Sequence, residues 1–226
     1  MYQMERETIQ CFIKKVVSGS SAEGIVIGVS GGIDSAVVLT LCVNALGADR
    51  VFGLFMPTKF TPKEELDDAI LLCKKLKVKA RTVYLDPLID AFQGYSGLYP
   101  VTPLTAGNLA ARLRMVTLYY YANQMNYLVA GTTDRSEYFL GYYTKWGDGA
   151  CDFEPIVHLT KSEVRSLGAG LDLSPSIVER KSSPRLWADH EAELELGVTY
   201  AQIDALLDRN SRSAHKRVNI PSLLDE

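Results

Sequence analysis

Gly24-Ile-Val-Ile-Gly-Val-Ser-Gly-Gly-Ile-Asp-Ser35 joins two patterns in twelve residues. As far as Val29 it is apolar and β-branched, too short for a helix, and reads as a buried strand. It then turns through paired glycines and opens a helix over Ile33 to Leu46, which Gly47 closes. The glycines let the backbone turn sharply and present N–H groups with no Cβ in the way. The helix start adds free N–H groups and a partial positive charge. Gly28, Val29, Ser30, Gly31, Gly32, Ile33 and Ser35 therefore form a candidate nest for a pyrophosphate group. The Ser30 and Ser35 hydroxyls can add donors. Asp34 has a different part, because a carboxylate facing phosphates is repelled unless a cation lies between them. An oxygen ligand beside a phosphate points to Mg²⁺. No GxxxxGK[ST] pattern occurs, so this is not a Walker A loop. A Ser-Gly-Gly turn that only caps a helix is the plain alternative, and the full SGGxDS run at a strand-to-helix junction argues against it.

Outward from this stretch, strands and helices alternate. Helix 2–18 precedes it. Strand 51–56, helix 62–76, strand 80–84, a loop through 103, helix 104–125 and strand 126–131 follow. That alternation predicts an α/β fold, a doubly wound parallel sheet with helices on both faces. Beyond 131 the pattern fades into a Gly- and aromatic-rich loop over 141–153. Short helices follow near 160–170, 174–179 and 199–208, then a polar tail. A single domain over 1–226 is expected, with an α/β core over about 20–170 and a C-terminal helical and irregular segment over about 171–226.

The net charge of -3 argues against a general nucleic-acid surface. No apolar run approaches a membrane span, and residues 1–15 lack the apolar core of a signal peptide. Four cysteines without a CxxC pair favour reduced thiols and a cytoplasmic protein. Cys11, Cys42 and Cys73 fall in helical patterns and are expected as small core residues. Cys151 lies in a polar loop.

Several further segments stand in order along the chain: Gly107-Asn-Leu-Ala-Ala-Arg-Leu-Arg-Met115, Gly131-Thr-Thr-Asp-Arg-Ser-Glu137, Gly141-Tyr-Tyr-Thr-Lys-Trp-Gly-Asp-Gly149 with Asp152, Leu159-Thr-Lys-Ser-Glu-Val164, Ser182-Ser-Pro184 with Leu186-Trp187 and Glu195-Leu-Gly197, and His215-Lys-Arg217. The SGGxDS run resembles the loop of the N-type ATP pyrophosphatases. The ordered set resembles ammonia-dependent NAD synthetases from about residue 20 to 218. This resemblance implies an adenine nucleotide alpha-hydrolase-like fold and an AMP-forming ligase. Its substrates would be ATP, ammonia and deamido-NAD, and its metal Mg²⁺.

The resemblance also implies roles. Asp34 and Glu137 would be metal ligands and catalytic; Glu137 follows a strand end, where ligands collect in open α/β sheets. Thr132, Lys161 and Ser183 would join the nest in binding ATP, the lysine as a point charge on phosphate. Asn108, Arg112, Lys145, Asp152, His215 and Lys216 would bind deamido-NAD. Asn108 and Arg112 are four apart and share a helix face. Asp148 is a candidate to take a proton from ammonium. With no cysteine nucleophile in a glutaminase context, free ammonia, or ammonia from a separate protein, is the expected nitrogen source. Where family members often carry Gly-Gln-Thr after the Leu-Trp pair, this chain has Ala188-Asp-His-Glu191. Helix 104–125 is apolar nearly all round, which with the resemblance predicts a homodimer. The competing readings are another amidase or tRNA-modifying ligase with this loop, or a nucleotide-binding sensor without catalysis. The tRNA-modifying relatives usually carry paired catalytic cysteines and a basic surface, and this chain has neither; the presence of both Asp34 and Glu137 weighs against the sensor.

Overall fold

A computed structural model describes residues 2–97, 100–188 and 190–209. Helix α1 (Tyr2–Ser18) leads into strand β1 (Gly24–Gly28), helix α2 (Ile33–Leu46), strand β2 (Val51–Phe55), helix α3 (Lys63–Lys75) and strand β3 (Lys79–Thr82). Helices α4 (Asp86–Ser96) and α5 (Pro103–Met125) precede strand β4 (Tyr127–Val129). Then come α6 (Arg135–Leu140), α7 (Lys161–Gly170), α8 (Pro175–Val178), α9 (Ala192–Leu196) and α10 (Tyr200–Arg209).

The strands form one parallel sheet in the order β3-β2-β1-β4. Successive residues of a strand point to opposite faces. Ile25 and Ile27 thus pack with Ile9 and Ile13 of α1 and with Val37, Val38 and Leu41 of α2. Val26, between them, packs with Leu54, Leu85 and Ala122 on the other face, against α5. Both faces are covered, which explains why β1 reads as an unbroken apolar run, and the doubly wound expectation holds. β2 lies on one side of β1 and β4 on the other, so the chain leaves these strands in opposite directions. That leaves a crevice beyond their carboxyl ends, where open α/β sheets bind ligands.

A third, smaller cluster joins Tyr200, Ile203 and Leu207 of α10 to Phe139 and Leu140 of α6. Among the described residues the C-terminal helices cover α6 and α7, and Val116 and Tyr120 on the outer side of α5 stay exposed.

Three local expectations need correction. The stretch read as a loop through 103 contains α4; its Asp86-Pro87 start marks a helix N-terminus. It was illegible because no residue of α4 is fully buried and only Ile89 leans on the core, while Leu88, Phe92 and Tyr95 stay exposed. Helices α6 and α9 are too short to show a period. Cys42 and Cys73 are core residues, but Cys11 is exposed on the outer side of α1.

Candidate active site

The loop between β1 and α2 sits at the crevice. Gly31 has φ +86°, and a Cβ there would meet the Glu65 carbonyl oxygen at 2.2 Å, so the loop lies hard against α3. The Ser35 hydroxyl organises it, accepting from the Ser30 N–H (3.2 Å) and donating to the Gly32 carbonyl (3.1 Å). The two serine hydroxyls are 3.1 Å apart. No side chain caps α2, whose first-turn N–H groups have no acceptor within the helix. The nest expected from the sequence is present in form.

The chain after β4 brings the second half. Asp134 and Glu137 cap α6 reciprocally: the Asp134 carboxylate accepts from Glu137 N–H (2.8 Å), and the Glu137 carboxylate from Asp134 N–H (3.3 Å). Thr160 and Glu163 form the same box on α7. This second box sets Lys161 at the first helical position, fully buried beneath the acids. Its Nζ lies 2.8 Å from Asp34, 2.9 Å from Asp134 and 2.8 Å from Glu137. Burial alone would lower the lysine pKa; the three carboxylates outweigh it and hold it well above its ordinary value. Burial raises the pKa of Glu137 and of Asp134. Lys161 opposes this in both, while the neighbouring carboxylates add to it.

These acids fit a magnesium ion. Asp34 and Glu137, 103 positions apart in sequence, converge on the Lys161 ammonium. Asp34 Oδ1 is buried and has no hydrogen-bond partner among the described residues. Two carboxylates beside a phosphate nest are a donor set of the kind Mg²⁺ takes, which is usually held by one or two carboxylates together with substrate phosphates.

A cleft of about 420 Å³ opens above the nest. It takes in Gly28, Val29, Ser30, Gly32, Ile33, Asp34, Ser35, Thr132, Glu137 and Ser183 of the expected ATP and metal set. Gly31 turns toward α3 and Lys161 lies below the floor, so neither lines it. Asn108 and Asp148 line the cleft on its far side. Asn108 accepts a hydrogen bond from Thr144 (2.7 Å), and Asp148 accepts from the Thr144 N–H (2.9 Å). The surrounding protein raises the Asp148 pKa, against the Thr144 bond and Arg114. Arg112 donates to the Lys145 carbonyl (3.3 Å), and both side chains are exposed. Asp152 lies in a neighbouring hollow that shares Tyr143 with the cleft. Its carboxylate accepts from the Val129 N–H of β4 (2.7 Å) and from Tyr119 (3.2 Å). His215 and Lys216 lie outside the described residues. Burial and Glu154 push the Cys151 thiol up to about 12, which disfavours its thiolate.

Other residues of the cleft, several of them inside the quoted segments, had no role assigned from sequence. Arg114 donates to the Met56 carbonyl (3.2 Å). Residues 180–187, with His190 beyond them, cross the mouth as a strap. Arg185 pairs with Glu65 (2.7 Å), and Leu186 passes so near Gly107 that a Cβ there would stand 2.7 Å from its own Cβ. Trp187 stacks on His190 at 3.6 Å, and His190 pairs with Glu195 (2.7 Å), which also accepts from Tyr142 (2.6 Å). Ser183 donates to the His190 carbonyl. The divergent Ala188-Asp-His-Glu191 thus carries a buried histidine that ties the strap down.

Known proteins agree with this geometry. The family model for NAD synthase matches residues 5–222. An NH(3)-dependent NAD(+) synthetase of Pyrobaculum aerophilum is 46% identical over 91% of this chain and 77% of its own. That of Methanoregula boonei is 40% identical over 96% and 94%. Among solved structures, NMN synthetase from Francisella tularensis superposes with a TM-score of 0.88 at 35% identity, covering 96% of each chain. NH3-dependent NAD synthetase from Campylobacter jejuni superposes at 0.78 and 36%, over 95% of this chain and 88% of that one. Likeness of this extent, over a parallel sheet whose loops bring an SGGxDS nest and two converging acids together, settles the family: this chain is a member of the NAD synthases.

Proposed function

We propose that this chain amidates deamido-NAD with ammonia, cleaving ATP to AMP and pyrophosphate. The observation that carries this reading is the meeting of Asp34 and Glu137 beside the nest, within a family of ammonia-dependent synthetases. A carboxylate does not react with ammonia, because its oxygen is a poor leaving group. The nicotinate carboxylate would first attack the α-phosphate of ATP, expelling pyrophosphate into the Ser30–Ser35 nest. Ammonia then attacks the acyl adenylate and AMP departs. The nest N–H groups bind the leaving group, Thr132 and Ser183 hold the nucleotide, and Asp148 takes the proton lost by ammonium. Asp34 and Glu137 would hold Mg²⁺, which when bound neutralises phosphate charge. Lys161 spaces these acids. Asn108, Arg112, Lys145 and Asp152, with His215 and Lys216, would receive deamido-NAD.

The test is incubation with ATP, Mg²⁺, ammonium and deamido-NAD. NAD, AMP and pyrophosphate should appear in equal amounts, and glutamine should not replace ammonium. Release of ADP and phosphate would refute it. A second reading has one observation in its favour: the Francisella neighbour, matched end to end, is an NMN synthetase. Under that reading the substrate is the carboxylate precursor of NMN. Competition between mononucleotide and dinucleotide for limiting enzyme decides.

We further read the chain as one domain that works as a homodimer. Val116 and Tyr120 on α5, and Leu88, Phe92 and Tyr95 on α4, are exposed in rows at helical spacing. Such apolar surface calls for a partner. Among the described residues no helix is long and apolar enough to cross a membrane. All four cysteines are free, in keeping with a cytoplasmic enzyme.

A further inference from the structure

We propose that Arg180 is a positioning residue for the pyrophosphate nest, fixing the peptide between Gly31 and Gly32 in the orientation that accepts phosphate. Arg180 follows α8 and stands at the start of the strap. Its Nη1 donates to the Gly31 carbonyl at 2.6 Å, across 149 residues of sequence. Its Nη2 donates to Asp68 of α3, also at 2.6 Å. The guanidinium is thus wedged between the nest and α3, with its side chain 16% exposed.

A Gly-Gly peptide is the easiest of all to rotate, because neither neighbour has a Cβ to hinder it. Rotation matters here. The carbonyl and N–H of one peptide point in opposite directions, so a turned peptide exchanges a donor for an acceptor. A phosphate meeting the carbonyl would be repelled. Gly32 N–H, the other end of this peptide, faces Ser30 Oγ at 3.2 Å inside the nest. The next carbonyl, that of Gly32, is held by Ser35. The Gly31 carbonyl is held by Arg180. Since Gly31 cannot move toward α3 without meeting Glu65, bond direction is the freedom left for Arg180 to remove. Asp68 balances the charge of Arg180, so the guanidinium acts through geometry and not as a free cation on phosphate. A planar fork suits two divergent acceptors; a lysine ammonium lacks that geometry.

The role rests on the ATP-cleaving reading, so the experiment separates the two. Pyrophosphate and ATP binding are measured by calorimetry with Mg²⁺ for wild type, Arg180→Ala, Arg180→Lys and Asp68→Asn. Adenosine binding reports an intact cleft, and thermal melting an intact fold. Arg180→Ala should weaken pyrophosphate by about tenfold, the scale of one charge-assisted hydrogen bond. Adenosine affinity and the KM for deamido-NAD should stay. Arg180→Lys should recover only part, and Asp68→Asn should show a smaller loss that does not add to that of Arg180→Ala. Should Arg180→Ala not fold, the lysine and Asp68→Asn variants carry the test alone. Wild-type pyrophosphate affinity in the folded Arg180 variants would overturn the proposal, as would an equal loss of adenosine. A wild-type protein that binds pyrophosphate through Arg180 yet makes no NAD would refute the proposed reaction and leave this role standing.

Discussion

Lys161 is the residue on which the site turns. A buried lysine beneath three carboxylates is held by its partners, and taking away one side of such a cluster leaves uncompensated charge. Lys161→Met should therefore destabilise the protein by about 3–5 kcal/mol, read from urea unfolding at pH 8. The loss should shrink toward pH 5, because acids deprived of the lysine can take up protons. The pH dependence of the wild type follows from the same groups. Glu137 and Asp134 have raised folded pKa values, so above the ordinary carboxylate range the folded state binds more protons than the unfolded one. Stability of the ligand-free protein should then fall as pH rises from that range toward those raised values. Glu137→Gln should flatten this slope; an unchanged slope would mean the raised Glu137 pKa is not its source. In catalysis, Asp34→Asn and Glu137→Gln should each lower turnover about a hundredfold, and near-normal turnover at limiting Mg²⁺ would remove that residue from the metal site. Asp34 was legible in sequence because it stands inside the nest. The embrace of Lys161 by Asp134 was not, since it arises from two capping boxes brought together across the crevice.

Elements decide which substrate feels which change. The loop after α6 hangs from α5 through Asn108 and Thr144 and carries Lys145 outward. Lys145→Ala should raise the KM for deamido-NAD and leave that for ATP unchanged, whereas Ser183→Ala on the strap should do the reverse. Equal effects on both substrates would show that these elements do not divide the pockets. Asp152→Ala is a poorer probe, because its carboxylate also holds the β4 backbone. Strands β1 and β2 and helices α2, α3 and α5 were legible from apolar runs and periodicity, since each answers to the core. Helix α4 was not, because it sets only Ile89 against the core and leaves its other apolar positions exposed, and the strap has no period to read.

For the whole molecule, the uncovered rows on α4 and α5 predict association. Val116→Asp should yield monomers by light scattering that lose deamido-NAD turnover but still bind ATP. A fully active wild-type monomer at assay concentration would exclude the dimer. Doubly wound topology follows from sequence: buried parallel strands must be apolar on both faces, and short apolar runs alternating with amphipathic helices have few other ways to bury themselves. The nest is likewise local, because eight consecutive residues contain its glycines, hydroxyls and acid. Sequence order therefore determined the fold class and half of the site. Tertiary structure alone decided the other half. Glu137 meets Asp34 because β4 pairs beside β1, and Arg180 reaches the nest because the strap returns over α3. Glu137 could be named from its place after a strand and from the segment it closes, but the contacts themselves, between residues over a hundred positions apart, exist only once the hydrophobic core has set the distance between them.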